Sequence, residues 1–395
     1  MDGSLILPGT LPGEMREASV LQLGLGWFPE THGGAENMFY NLARHLPQQG
    51  IAFSGLVLGT VSRTLDNGAR IDSFAPPTAS LPRRVAAART AIAETLRRQA
   101  PDLVASHFAL NTVGALPALR NRPLVVHFHG PWALESAAEG AGPLAVRLKF
   151  MVERLVYRRA TRFVVLSQSF ASILAERYGV RPERIHRVPG GVDADRYDLS
   201  DSRHQARARL GWPQGRPILL TVRRLVKRMG LTALVDAMVE LRRRIPDVLL
   251  VVAGRGPEAA ALQDRIGALG LEEHVRLLGF VPDAHLPLAY RAADLCVMPS
   301  QALEGFGLTA LESLAAGTPV MVTPVGGLPE VVEGLDGDLV LAGIDARSIG
   351  IGIAEALSGV RRLPDADACR ALVRSRFDWP VIAARTAAVY RGALQ

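Results

Sequence analysis

Glu304 and Glu312 stand eight positions apart, and Gly305-Phe306-Gly307 follows the first of them directly. The Gly-Phe-Gly step reads as a turn that exposes backbone. Leu308, Leu311, Leu314 and Ala315 then fall on one face of a following helix. A helix N-terminus presents unpaired N–H groups and a partial positive charge, which suits a diphosphate. Glu304 lies in the loop beside that anion, and Glu312 about two turns into the helix. Carboxylates accept hydrogen bonds from hydroxyls, so one can hold a sugar and the other a ribose. Singly, each glutamate would pass for a solvated charge at a helix end; together they outline a nucleotide-sugar site.

Two more residues with chemical potential are His127 and His129, which share a face of a predicted strand by alternation. A metal pair is one reading, but no third ligand sits nearby in the sequence, so none is expected. Asp193-Ala194-Asp195 looks like a metal-binding Asp-x-Asp, yet it lies in a linker, where capping or turn chemistry is the better reading.

The elements that must position these residues alternate between short apolar runs and longer amphipathic segments. Strands are predicted at Val20–Gly24, Ala52–Leu58, Leu103–Ser106, Leu124–Phe128, Arg162–Leu166 and Ile185–Val188. Helical patterns cover Ala35–Gln48, Pro82–Gln99, Leu144–Arg159 and Ser169–Tyr178. Continuous apolar strands separated by helices indicate a parallel sheet covered on both faces. Pro189-Gly190-Gly191 breaks the series. It restarts with strands at Pro217–Val222, Val248–Ala253, Val275–Leu278, Leu295–Met298, Pro319–Val322 and Leu339–Leu341. The expected fold is α/β, with two doubly wound, Rossmann-like domains facing across a cleft and ligands at the carboxyl ends of their strands. The divisions are a disordered leader at 1–18, a first domain at 19–192, a second at 193–376 and a terminal segment at 377–395.

The stretch from Pro299 to Glu312 resembles the paired-glutamate motif of the retaining GT-B glycosyltransferases of family 4. Other segments match in order: Gly33-Gly34-Ala35-Glu36, His127-Phe128-His129-Gly130, Val188 to Asp193, Arg223 to Gly230, Ala253 to Pro257, Leu278 to Val281 and Gly326 to Glu330. The resemblance spans roughly residues 19 to 395. It implies a hexose donor carried on UDP or GDP, transfer with retention of configuration, and a terminal helix that crosses back to the first domain. Glu304 is then the sugar contact and Glu312 the ribose contact, with Gly305, Phe306, Gly307 and Leu308 around the diphosphate. His129 touches the transferred sugar while His127 is structural, and Glu135 orients the loop. Gly33 and Gly34 offer backbone amides, Gly254 and Gly256 approach the nucleotide, and Phe280 and Val281 border the base. Gly326-Gly327 and Glu330 close over the sugar or phosphate, or form a plain turn. Arg224 with Lys227 or Arg228 stabilises the leaving diphosphate. The family pattern places lysine immediately before the glycine, where this chain has Met229, so Arg228 is the first substitute and Lys227 the second.

With 48% hydrophobic and 21% charged residues, the 395-residue chain is of globular type. Its two cysteines, Cys296 and Cys369, form no metal or disulfide spacing. Cys296 in its apolar run reads as a buried free thiol of a reducing, cytoplasmic protein. No uncharged run approaches the ~20 apolar residues of a membrane span. The +7 net charge gathers in basic clusters, among them 154–162, where Phe150, Leu155 and Val156 interrupt the charges along a helix. That helix reads either as a solvated arginine-rich face or as a contact for anionic lipid at the inner face of the cell membrane. No zinc-finger, ribonucleoprotein or helix-turn-helix pattern accompanies the charge, so nucleic acid is not an expected partner. The expected partners are a nucleotide sugar and a glycan or lipid-linked acceptor, with no metal or other cofactor. Rivals are a nucleotide-sugar epimerase on the same scaffold and a silent nucleotide-sugar-binding module. A nicotinamide oxidoreductase lacks its glycine fingerprint here.

Overall fold

The computed structural model describes residues 17–31, 33–335 and 337–395; the leader expected at 1–18 lies almost wholly outside them. The first sheet contains β1 (Ala18–Leu23), β2 (Ile51–Leu58), β3 (Arg63–Thr64), β4 (Arg70–Ala75), β5 (Leu103–Ser106), β6 (Leu124–Phe128), β7 (Arg162–Val165) and β8 (Ile185–Arg187). Their order is β3-β4-β2-β1-β5-β6-β7-β8, parallel throughout except for the β3–β4 pair. The second sheet contains β9 (Ile218–Val222), β10 (Leu249–Ala253), β11 (Val275–Gly279), β12 (Leu295–Met298) and β13 (Val320–Val322), in the order β11-β10-β9-β12-β13. In both sheets the order reverses beside the first strand, and such a reversal opens a crevice at the carboxyl edge.

Alternation explains why both sheets are covered on two faces. Val20, Leu103, Ala105, Val125 and Val164 belong to one core, while Leu21, Leu23, Val104, Val126, Phe163 and Val165 belong to the core on the opposite side. The second sheet repeats this, with Ile218, Leu220, Val251 and Met298 on one face and Leu219, Leu250, Val252 and Val297 on the other. Each such fully buried aliphatic side chain contributes roughly 1.5–3 kcal/mol.

The structure differs from the sequence expectation in two places. Arg70–Ala75 forms a strand held between β2 and the short edge strand β3, with Ile71 and Ala75 buried and the residues between them less so, too faint an alternation to read as a strand. Leu339–Leu341 is no strand: Gly337–Leu339 forms a single tight helical turn, and Val340 alone bridges to Val322.

The chain crosses between the sheets twice. Val192 donates to the Phe377 carbonyl at 3.0 Å, and the Asp378 carboxylate accepts from Ala194 N at 3.2 Å and Trp379 N at 3.0 Å. The final helix, Trp379–Leu394, then lies on the first sheet, with Trp379, Ile382, Ala387 and Tyr390 in the core of Val20 and Val125.

The Pro143–Arg159 helix departs from the expected pattern. Val156 is buried and Phe150 stacks on Tyr178 at 4.9 Å, so of the three apolar interruptions only Leu155 faces outward. Leu155 instead completes a stripe with Leu144, Leu148 and Met151, which are 48%, 73%, 50% and 52% exposed in that order.

Candidate active site

A cavity of about 680 Å³ opens where the carboxyl edges of the two sheets meet, lined from both sides. On the C-terminal side the chain leaves β9 at Val222, and Arg223 turns its guanidinium inward to the Glu304 carboxylate and the Ser300 hydroxyl. Ser300 also donates to Glu304 at 2.9 Å. Burial pushes the Glu304 carboxyl up, but the Arg223 charge and these hydrogen bonds outweigh it and hold the group below its ordinary value. Arg228, 7% exposed at its side chain, donates through Nη1 to the Leu303 carbonyl at 3.1 Å and lies 3.6 Å from both Glu135 and Glu139 across the cleft. The Nε atoms of Arg223 and Arg228 are buried without a hydrogen-bond partner among the described residues. Residues 303–309 complete this wall, and Gly307, at φ +99°, sets the start of the Leu308–Ala315 helix.

Behind that loop, a Cβ at Gly326 would overlap the Glu304 carbonyl oxygen. Gly327 donates its N–H to the same oxygen at 3.0 Å. The Glu330 carboxylate accepts from Gln168 N at 2.8 Å, tying the second sheet's domain to the first. The Gly326-Gly327-Glu330 segment therefore buttresses the loop and joins the two bodies; it does not line the cavity.

On the N-terminal side, Gly33 and Gly34 begin the Gly34–His45 helix at the cavity wall. His129 follows β6, and its Nε2 lies 2.9 Å from His107 Nδ1; His107 Nε2 lies 2.8 Å from Gln22 Oε1. Burial lowers the His129 pKa to about 4 and, with the neighbouring rings, lowers those of His107 and His127 well below the ordinary value. All three rings are therefore neutral at pH 7. Burial likewise raises the Glu135 carboxyl against the opposing pull of Arg228 and Arg224. Behind this wall the buried Glu153 carboxylate accepts from Trp132 N at 2.8 Å, Ala133 N at 3.2 Å and the Tyr178 hydroxyl at 2.7 Å. It thereby fixes the start of the helix that follows His129-Gly130-Pro131.

The expectation of no third histidine near His127 and His129 is wrong: His107 joins them, with ligand atoms within 4.8 Å of one another. Its distance in sequence hid it. The geometry still disfavours a shared ion, because the His107 and His127 rings stack at 4.2 Å with planes 10° apart. Lone pairs lie in the ring plane, so two face-to-face rings do not converge on one point, and both nitrogens of His107 are already engaged.

The family model described as Glycosyltransferase Family 4 matches residues 32–196, and that described as Glycosyl transferases group 1 matches residues 202–365. The D-inositol 3-phosphate glycosyltransferase 2 of Catenulispora acidiphila is 34% identical over 310 residues, which are 74% of this chain and 71% of the relative. The chain belongs to the GT-B glycosyltransferases of the family 4 type. A D-inositol 3-phosphate glycosyltransferase of Nocardia farcinica is 40% identical over 266 residues, 63% of this glycosyltransferase and 58% of that relative's length. The structure of Anabaena Alr3699/HepE in complex with UDP and glucose has the same fold, with TM-score 0.77 and 23% identity over 95% of this chain and all of that one.

Within this glycosyltransferase the cavity gathers Gly33, Gly34, His129, Arg224, Arg228, Glu304, Gly305, Phe306, Gly307 and Leu308. Between the two substitutes for the family lysine, Arg228 is at the wall, whereas Lys227 is exposed and lies off it. Four donor-site expectations fall elsewhere. A Cβ at Gly254 or Gly256 would overlap the carbonyl oxygens of Arg223 or Leu225, so these glycines admit that backbone and do not line the cavity. Val281 packs against the core of the second domain. Glu312 is partly buried, accepts from Tyr290 at 2.7 Å and also bonds Tyr197. Burial pushes its pKa up to about 7, and it too stands off the cavity wall. Sequence reasoning missed Arg223, His107 and Glu153. Asp193 does cap a turn, accepting from Arg196 N at 3.2 Å, and Asp195 pairs with Arg374 at 2.8 Å. Cys296 and Cys369 are both buried free thiols.

Proposed function

We propose that this chain is a retaining hexosyltransferase that uses a UDP- or GDP-activated sugar. The carrying observation is the meeting of Arg223, Arg228 and Glu304 on the Gly-Phe-Gly loop, directly opposite a neutral His129, in one cavity. The guanidinium groups and the helix N-terminus suit a diphosphate, on which negative charge grows as the sugar–phosphate bond breaks. The acceptor hydroxyl approaches on the face that the diphosphate leaves. Its oxygen bonds the anomeric carbon, its proton passes to the departing phosphate oxygen, and a nucleoside diphosphate is released. No protein nucleophile and no divalent metal are required. Closing the cleft excludes the water that would hydrolyse the donor.

For the donor, the support is the UDP and glucose named with the HepE structure. For the acceptor, it is the inositol phosphate named in the two relatives. We place the acceptor more broadly in cell-envelope polysaccharide or lipid-linked glycan synthesis on the cytoplasmic side of the membrane. No described helix is long and apolar enough to cross a bilayer. The stripe Leu144, Leu148, Met151 and Leu155, with exposed Arg147, Arg154 and Arg158 on the same helix, suits contact with an anionic lipid surface. The test is the configuration of the product. With an α-linked donor, NMR of the isolated glycoside shows an α linkage that forms equally well in excess chelator; a β product overturns the reading. Donor conversion that proceeds without any acceptor favours the epimerase.

A further inference from the structure

His129 is neutral and must therefore carry its single proton on one nitrogen or the other, and which one decides whether it donates to a sugar or accepts from it. The ring shows only one edge to the protein. Nε2 faces His107, while Nδ1 has no hydrogen-bond partner among the described residues and is not sealed from the cavity. The proton position follows from the groups behind it. Gln22, fully buried in β1, presents Oε1 to His107 Nε2 at 2.8 Å, and a carbonyl oxygen only accepts. His107 Nε2 must then hold the proton, which leaves Nδ1 as an acceptor toward His129. Tyr390 of the last helix packs on the same amide: its hydroxyl accepts from Gln22 Nε2 at 2.9 Å, lies 3.3 Å from Gln22 Oε1, and meets His127 Nε2 at 2.6 Å, and the shorter contact favours the orientation with Oε1 toward His107.

We infer that Gln22, His107 and Tyr390 are positioning residues that hold His129 as its Nε2–H tautomer, so that its open Nδ1 accepts a hydrogen bond from a hydroxyl of the donor sugar. The tautomer assignment stands on the folded chain alone, and the sugar contact rests on the proposed function. The relay also gives the returning helix a role in the site. Tyr390 lies in the same helix as Trp379, next to the crossing at Val192 and Asp378, so the segment that joins the bodies also sets the histidine.

The test is long-range proton–nitrogen NMR of the full chain labelled with nitrogen-15 histidine, at pH 7, with the His129 signals assigned by their loss in His129→Gln. The expected wild-type spectrum shows Nε2 protonated and Nδ1 bare. Gln22→Leu abolishes that preference. Tyr390→Phe, which removes a single oxygen and keeps the ring packing, weakens it. In acceptor-dependent transfer, Gln22→Leu lowers kcat about tenfold with KM nearly unchanged. A wild-type His129 protonated at Nδ1, or a tautomer unmoved by both variants, overturns the relay. Adding UDP-glucose and GDP-mannose in turn separates the second part. The donor that binds shifts the His129 Nδ1 signal, whereas UDP or GDP alone does not. Binding reported by other residues without that shift overturns the sugar contact and leaves the proposed function intact. If neither sugar nucleotide binds while the tautomer is as expected, the functional reading fails and the relay stands.

Discussion

On the C-terminal side of the cleft, Arg223, Arg228 and Glu304 are charged and held by one another and by loop carbonyls. On the N-terminal side, three histidines are kept neutral by burial and joined through Gln22 and Tyr390. Both walls face the same cavity, so the contrast cannot come from different solvent exposure alone. It comes from partners: a buried ion persists only beside an opposite one, and a buried imidazole sheds its proton where none is offered. The division fits a substrate with a charged end and an uncharged end, a diphosphate against the arginines and a sugar ring against the histidine.

The contrast breaks most visibly in kinetics. Arg228→Met is expected to lower kcat by roughly 10²–10³, the cost of one preorganised group facing developing charge, while His129→Gln costs about tenfold. Equal losses, measured at saturating donor, would erase the distinction between the walls. A slightly smaller effect is expected in stability. Arg223→Met leaves Glu304 partly buried without its cation and should cost about 3 kcal/mol by denaturant unfolding. Pairing it with Glu304→Leu should recover most of that loss, and no recovery would mean that the ion pair is not the source.

The two sides also give pH windows of opposite sign. Burial lowers the His129 pKa from 6.5 to about 4, so the folded state binds fewer protons there and stability falls as pH drops through that interval. Burial raises the Glu312 pKa from 4.5 to about 7, so the folded state binds more protons and stability falls as pH rises between those values. Glu312→Gln is thus expected to match wild type near pH 4.5 and exceed it by about 3 kcal/mol at pH 8; His129→Gln lessens only the acid arm, to which His107 and His127 also contribute. Thermal unfolding from pH 4 to 8 reads both. The smallest effect on catalysis belongs to a surface outside the cleft. Replacing Leu144, Leu148, Met151 and Leu155 together with glutamine should remove cosedimentation with anionic vesicles and leave transfer to a water-soluble acceptor unchanged.

The sheets were legible because their strands are unbroken apolar runs: β5, β6 and β12 occupy the predicted residues. β4 escaped because only Ile71 and Ala75 of its six residues are buried, which leaves a faint pattern. In the site, the Glu304 loop was legible because its turn, helix start and carboxylate are contiguous. Arg223 was not, since two adjacent arginines differ only in which one the turn after β9 points inward. Gly254 and Gly256 carry a related ambiguity: glycine marks close approach of a backbone, and the sequence does not show that residues 223–225 already supply one here. His107 was invisible because only the β5–β6 pairing brings it beside His129.

The central claim is that Glu304 and its arginines hold an activated sugar for transfer. A panel of UDP-, GDP- and ADP-sugars, tested for binding and for acceptor-dependent turnover with wild type and Glu304→Ala, addresses it directly. One sugar nucleotide should bind wild type below millimolar concentration and be turned over, and Glu304→Ala should lose that transfer. No binding of any of them to wild type, or full transfer by Glu304→Ala, would contradict the account.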